Sequence, residues 1–434
     1  MTSCYRVALL ATSSSRVATF APLAVEAAKL GHECTLFAPE GAPSRIGAWL
    51  KQQGAESVQV REVERGRWPN EAALIDADIA FCNEGSPQWL PERLVRVVLH
   101  HSLPDNEEIC LDYARFYRLR KPLGVAEADY LIVPSRLPKR STQPESWKFA
   151  ARVRSTYGST RRGTPLTLLL GGYPKIDFLR SQVRDGDQSS QRDTVVYAPT
   201  KFSSRYGQAS SHGIDIVEAL LRSAPQHRVV FRPFPSDLAK EANYVDQLTA
   251  RFSRNPRFSM DSHSEDALNV TRVALVVTDR SSVAVSFSLG TERPSIFLQL
   301  DRRAPQFSRT NVSVWKAPRK GDARAIPCGW SVGDLRTLDA VIALVVTRPD
   351  VWSRRLEGVA SRVLWHGVGY SAHLAGLIPA LAERETPADS IVIRPDGKKN
   401  GLGLVRKPAM LAQKLETRIL SPFMKGQREL KARA

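Results

Sequence analysis

Short unbroken apolar runs alternate along this chain with stretches whose apolar residues recur at helical spacing. Val7–Ala11 is a run of strand length, and Thr12–Arg16 is a polar turn without glycine, which excludes a dinucleotide fingerprint. Phe20–Leu30 carries apolar residues at helical spacing and Gly31 stops it; Cys34–Ala38 is the next strand, ended by Pro39 and Gly41. Strand, helix, strand is the alternating α/β unit. The pattern continues with a helix at Ile46–Gln53, strands at Ser57–Val60 and Ile79–Cys82, and a helix at Leu90–Leu94. Strands then follow at Val95–Leu99, Tyr130–Val133 and Leu166–Leu170, the last leading into Gly171-Gly172-Tyr173-Pro174.

Arg184–Asp193 has no apolar periodicity and reads as a linker; its Asp185-Gly186-Asp187 lacks a preceding strand, so it reads as solvated rather than as a metal motif. The alternation then restarts. Thr194–Tyr197, Arg228–Phe231 and Phe258–Met260 are strands; Ile214–Arg222 and Asp237–Phe252 are helices. The most informative stretch is Val273–Pro294. Val273–Val277 reads as a strand buried on both faces, Ser281 and Ser282 form a hydroxyl-rich turn, and an apolar helix follows that Gly290 closes. Such a turn lies at the carboxyl end of a strand and the amino end of a helix, where a parallel sheet presents phosphate ligands. The alternative is that Asp279 and Ser281 only cap the helix. Leu335–Val346, Val351–Ala360 and Ala372–Ala382 complete the helical set, and the last is expected to cross back over the first domain.

The expected fold class is α/β: two Rossmann-like domains, 1–184 and 193–384, facing a cleft, and a basic C-terminal tail, 385–434. With 434 residues and 42% hydrophobic content, each domain has enough apolar material for its own core.

Charge narrows the partners. The net charge of +18 points to anions: nucleotide phosphates, acidic lipid head groups, a polyanionic polymer or nucleic acid. Basic residues concentrate in two places. One set runs from Arg115 to Arg162 with aromatics among them, which keeps nucleic acid in view although no RNA-binding motif accompanies it. The other is the tail, where Leu411, Leu415 and Ile419 share a helical face flanked by Lys414 and Arg418; it reads either as a membrane-surface helix or as a solvated tail. The five cysteines are scattered, with no ligand spacing, so no structural metal and no cofactor are expected. No apolar run suits a signal peptide or a spanning helix, which places the protein in the cytoplasm, peripheral on the inner membrane.

Several pieces line up with a known family. Leu23–Pro39 is similar to the opening of glycosyltransferase-B fold enzymes. Val97–Ser102 (VVLHHS), Gly172–Asp177 (GYPKID), Val196–Thr200 (VYAPT), Phe231–Pro235 (FRPFP) and Val276–Ser282 (VVTDRSS) resemble, in order and spacing, the CDP-glycerol glycerophosphotransferases of teichoic-acid and capsule synthesis. That resemblance implies a CDP-alditol donor on the second domain, a lipid-linked or polymer acceptor approaching from the first, and release of CMP. It implies His101 as the base that takes the acceptor proton, with adjacent His100 able to exchange roles. It further implies donor-phosphate contacts from Arg232, Asp279, Arg280, Ser281 and Ser282, with Lys175, Thr200 and Lys201 on neighbouring strand ends. Two departures stand out. Ser102 replaces the family's glycine, and Phe234 stands where the family carries a second histidine. A phenyl ring cannot shuttle a proton, so Phe234 fits a nucleotide-sugar donor, another alditol or an inactive relative. A non-catalytic polyanion-binding or nucleic-acid-binding protein on the same fold is the reading from a different class.

Overall fold

A computed structural model describes residues 3–64, 66–83, 86–99, 128–134, 166–185, 192–202, 209–263, 268–279, 281–300, 323–326, 328–347 and 349–393. His100, His101, Arg280, both basic clusters and most of the expected linker lie outside these. The first sheet holds β1 (Arg6–Leu10), β2 (Glu33–Pro39), β3 (Gln59–Val63), β4 (Ile79–Asn83), β5 (Val95–Leu99), β6 (Tyr130–Val133), β7 (Leu166–Leu170) and, from the far end of the chain, β15 (Ser390–Ile393). The second holds β8 (Thr194–Tyr197), β9 (Arg228–Phe231), β10 (Phe258–Met260), β11 (Val273–Thr278), β12 (Ser295–Leu298), β13 (Ala323–Ile326) and β14 (Gly329–Val332). Both belong to one compact unit, Met1–Lys398.

The first sheet runs β15-β7-β6-β5-β4-β1-β2-β3 and the second β10-β9-β8-β11-β12-β14-β13. Every pairing is parallel except β15 with β7 and β13 with β14. In both sheets the strand order reverses once: between β1 and β4 in the first, between β8 and β11 in the second. β1, β4, β5 and β6 are buried almost throughout, which is why they read as unbroken apolar runs.

Helices α1 (Ser14–Lys29), α2 (Ala42–Gln52) and α3 (Trp68–Ala73) serve the first lobe. Helix α4 (Pro174–Asp185) follows β7, and α5 (Ala209–Ser223), α6 (Asp237–Lys240), α7 (Ala242–Phe252) and α8 (Ser282–Thr291) serve the second lobe. Then come α9 (Leu338–Val346), α10 (Pro349–Val363), α11 (Tyr370–Gly376) and α12 (Ile378–Ala382). As the apolar pattern anticipates, this last stretch returns to the first lobe, α11 against α1 and α12 against β4.

Four local expectations are corrected. Leu90–Leu94 is not a helix: only Pro87–Trp89 forms a 3-10 turn, and Pro91 holds Leu90 extended at φ −78°, ψ 146°. Asp237–Phe252 is two helices, broken at Glu241. Gly290 does not end its helix; α8 continues to Thr291, and Glu292 takes the left-handed cap at φ 56°. Gly290 lies against α4, where an added Cβ would come within 2.7 Å of Leu179 Cβ. Ser390–Ile393, counted with the basic tail from its sequence, is a sheet strand whose register runs Ser390↔Leu169 to Ile393↔Leu166.

Candidate active site

The registers explain which predicted residues meet. Val277 of β11 lies beside Tyr197 of β8, and Tyr197 lies beside Phe231 of β9. Thr278-Asp279, Ala198–Thr200 and Arg232 therefore leave three adjacent parallel strands at the same carboxyl edge. This edge includes the reversal point of the second sheet, the position where open α/β sheets form their ligand crevice.

Within it Asp279 faces inward. The residue is 1% exposed, and its Oδ1 accepts the Thr200 N–H at 2.7 Å and the Thr200 hydroxyl. Thr278 Oγ1 donates to Ala198 O at 2.6 Å and accepts the Ser281 N–H at 3.2 Å. The side chains of Thr200 and Asp279 thus tie β8 to β11 across the reversal point and set the turn that carries the serines. Ser281 is the N-cap of α8; its hydroxyl accepts from the Val283 N–H at 3.4 Å, a long bond, and Ser282 is exposed beside it. The capping alternative therefore holds for Ser281, whereas Asp279 Oδ1 accepts from Thr200 of the neighbouring strand end.

Arg232 is 8% exposed, its backbone N–H donates to Tyr197 O at 2.8 Å, and its guanidinium pairs with Asp261 just beyond β10. Sequence reasoning missed Asp261; the adjacency of β9 and β10 supplies it. Phe234, two residues on, is 37% exposed. Lys201 is half-buried and interacts electrostatically with Asp237, whose carboxylate is pushed upward by burial first and accepts the Phe202 N–H at 2.8 Å.

Lys175 comes from the other lobe, on the first turn of α4. Its ammonium has no hydrogen-bond or ion-pair partner among the described residues, while part of the side chain stays open to solvent. Burial first, and the like charge of Arg232 second, lower its pKa to about 8. The surrounding motif explains the placement. The Asp177 carboxylate accepts Gly369 N–H at 2.6 Å, Ser371 N–H at 2.8 Å and the Ser371 hydroxyl at 2.6 Å, fixing the start of α11 against α4. Gly171 and Gly172 leave room for Tyr370: an added Cβ would meet its hydroxyl at 2.3 Å or its ring at 2.7 Å. Trp365-His366-Gly367 follows the end of α10, and the His366 N–H donates to Gly171 O at 3.1 Å. The positive charge of Arg232 thus acts on Lys175 of the other lobe, and of the two Arg232 has a carboxylate partner in Asp261. No group of His, Cys, Asp or Glu among the described residues can hold a metal.

No family model matches the chain, and no curated protein matches it. Solved structures do. MnaA of S. aureus, solved with UDP, is similar over 89% of this chain and 99% of its own, with a TM-score of 0.54 and 10% identity. UDP-GlcNAc 2-epimerase of Methanocaldococcus jannaschii is similar over 86% of this chain and 99% of its own, with a TM-score of 0.50 and 8% identity. At such identities the likeness is one of architecture. Two Rossmann-like lobes facing a cleft, spanned over nearly their whole length by these neighbours, give this chain the glycosyltransferase-B fold.

Proposed function

We propose that this protein is a transferase of cell-envelope polymer synthesis. It moves a glycerol-phosphate or other alditol-phosphate unit from a CDP-activated donor to a hydroxyl of a lipid-linked or polymer acceptor. The observation that carries this reading is Lys175, without a described partner and under the positive charge of Arg232. A half-buried ammonium without a described partner, repelled by a second cation, is costly unless an anion joins them. A nucleoside diphosphate at the carboxyl edge of β8, β9 and β11 supplies that anion, and the GYPKID and FRPFP resemblance names its class.

In this mechanism the acceptor oxygen attacks the β-phosphorus of the donor. A new O–P bond forms, the bridging P–O bond breaks, CMP departs with the electron pair, and the acceptor proton passes to His101, with His100 its alternate. Arg232 and Lys175 hold the charge that gathers on the leaving phosphate, with Ser281, Ser282, Lys201 and Arg280 as further contacts. Asp279 and Thr200 keep the edge in shape. Electrostatic support for the leaving group accounts for most of the rate in this scheme.

Phe234 supports a second reading, sugar transfer from a nucleotide sugar, because the family's histidine is missing. A non-catalytic polyanion binder is the third. Thermal shifts with CMP, CDP, UMP and UDP separate them. Cytidine preference followed by turnover in a donor screen with a lipid-linked acceptor pool supports the first; uridine preference supports the second. No shift with any nucleotide, together with salt-sensitive RNA binding, sinks both. The basic tail adds peripheral attachment to the cytoplasmic face of the inner membrane; no described helix is long and apolar enough to cross a membrane.

A further inference from the structure

We propose that Asp237 is a positioning residue of the second lobe: it joins the chain leaving β8 to the turn leaving β9 and steers Lys201 towards a ligand diphosphate. The ligand is taken from the donor reading above; the join itself is independent of it. Beyond Thr200 and Arg232 both segments have left the sheet, so strand pairing no longer holds them. Asp237 does. Its Oδ2 accepts the Phe202 N–H at 2.8 Å, and its own N–H donates to Phe234 O at 2.7 Å. One residue thus grips the segment after β8 with its side chain and the turn after β9 with its main chain. Phe202 is held on a second side by Tyr244 of α7, with ring centroids 4.4 Å apart, and Tyr244 meets Phe231 of β9 edge-on at 6.5 Å. Thr200, on the other flank, is bonded to Asp279. Lys201 therefore sits between two fixed neighbours, and its side chain is the part left to turn.

The charge of Asp237 is a separate observation. The residue is 3% exposed, and its Oδ1 is buried without a hydrogen bond of ordinary geometry. Burial first raises the pKa of this carboxyl, the Phe202 bond lowers it, Glu241 raises it again and Lys201 lowers it. Accepting one N–H needs no charge: a neutral amide does so without a buried anion to desolvate. A carboxylate kept where an amide would serve, at a ligand edge, is there to act on a neighbouring charge. Lys201 is the cation that acts on it. The Lys201 ammonium makes no hydrogen bond or ion pair with a described residue, so Asp237 steers it without consuming it. A lysine side chain otherwise spreads over many rotamers, and a nearby carboxylate narrows that spread before a diphosphate arrives.

The test is calorimetric titration of the full-length protein with CDP, UDP and inorganic pyrophosphate, in a cycle of Asp237→Asn, Lys201→Met and the double variant. Asparagine keeps an acceptor for the Phe202 N–H and removes the charge. Loss of a negative charge beside an anion site should by itself tighten anion binding. Because Asp237 steers Lys201, Asp237→Asn should instead weaken binding about threefold or more, with Tm equal or higher. In the Lys201→Met background the same change should leave binding unchanged or tighten it. Equal weakening in both backgrounds, or no weakening in the otherwise wild-type chain, overturns the proposal, while bound CDP or UDP keeps the donor reading. The reversal seen with pyrophosphate in a protein that takes neither nucleotide sustains Asp237 and removes the donor reading instead. No saturable binding of any of the three overturns both.

Discussion

Lys175 is the residue on which the proposed donor site turns. The fold holds its pKa near 8 against an ordinary 10.5. Below pH 8 both folded and unfolded chains carry the proton, and the folded state bears the full cost of the buried charge. Between pH 8 and 10.5 the unfolded chain keeps a proton that the folded chain has released, so this group's contribution to stability rises with pH through that window. Lys175→Met should therefore raise Tm at pH 7, and the gain should shrink towards pH 10.5. The same variant should weaken nucleoside-diphosphate binding about tenfold or more, since a charge-assisted contact is lost. Wild-type binding at pH 8 should take up protons, seen as a dependence of binding enthalpy on the buffer's ionisation enthalpy. Asp177, two residues on, is legible as a family position but not as what it is. Its carboxylate holds three donors of a segment nearly two hundred positions away. Asp177→Ala should cost about 2 kcal/mol by denaturant unfolding, the scale of charged hydrogen bonds lost in a half-buried place.

At the scale of elements, α4 decides how the site is assembled. It packs on α1 of the first lobe and on α8 of the second. Glu292 joins the contact through Arg180 of α4, and Ser353 of α10 donates to Glu292 Oε2 at 2.6 Å. Gly290 brings the two helices close. Gly290→Val should cost about 1–3 kcal/mol, because the added atoms meet Leu179 and the Ile176 carbonyl with no room to relax. The strands of both central sheets are written in the chain, since doubly covered strands must be apolar along their length. Helix α4 escaped the pattern because Pro174 at its start follows Gly-Gly-Tyr and looks like a turn, whereas proline suits a first helical turn. The short strands β13 and β14 carry no long apolar run and exist through their pairing with β12.

For the whole molecule, the return of the chain to the first sheet sets the end of the folded unit. The Leu170 N–H donates to Asp389 O at 3.0 Å, Tyr130 Oη donates to Glu385 O at 2.6 Å, and Arg384 pairs with Asp129 at 2.7 Å. A chain ending at Pro387 should unfold at lower denaturant than the full protein, while one ending at Arg394 should match it. The second truncation is the right one for vesicles: losing attachment to anionic membranes with unchanged Tm assigns that attachment to the basic tail, and retained attachment assigns it elsewhere.

The sequence by itself determined the alternation of strand and helix, the charge that calls for anionic partners, and the strand ends where Arg232, Asp279 and Ser281 stand. Those are local matters: periodicity, breakers and residue type. Only the tertiary structure decided that Asp279 accepts from Thr200 across β8 and β11, that Arg232 pairs with Asp261, and that the charge of Arg232 acts on Lys175 of the other lobe. Each of these depends on which strands became neighbours, and neighbourhood follows from the burial of faces far apart in the chain.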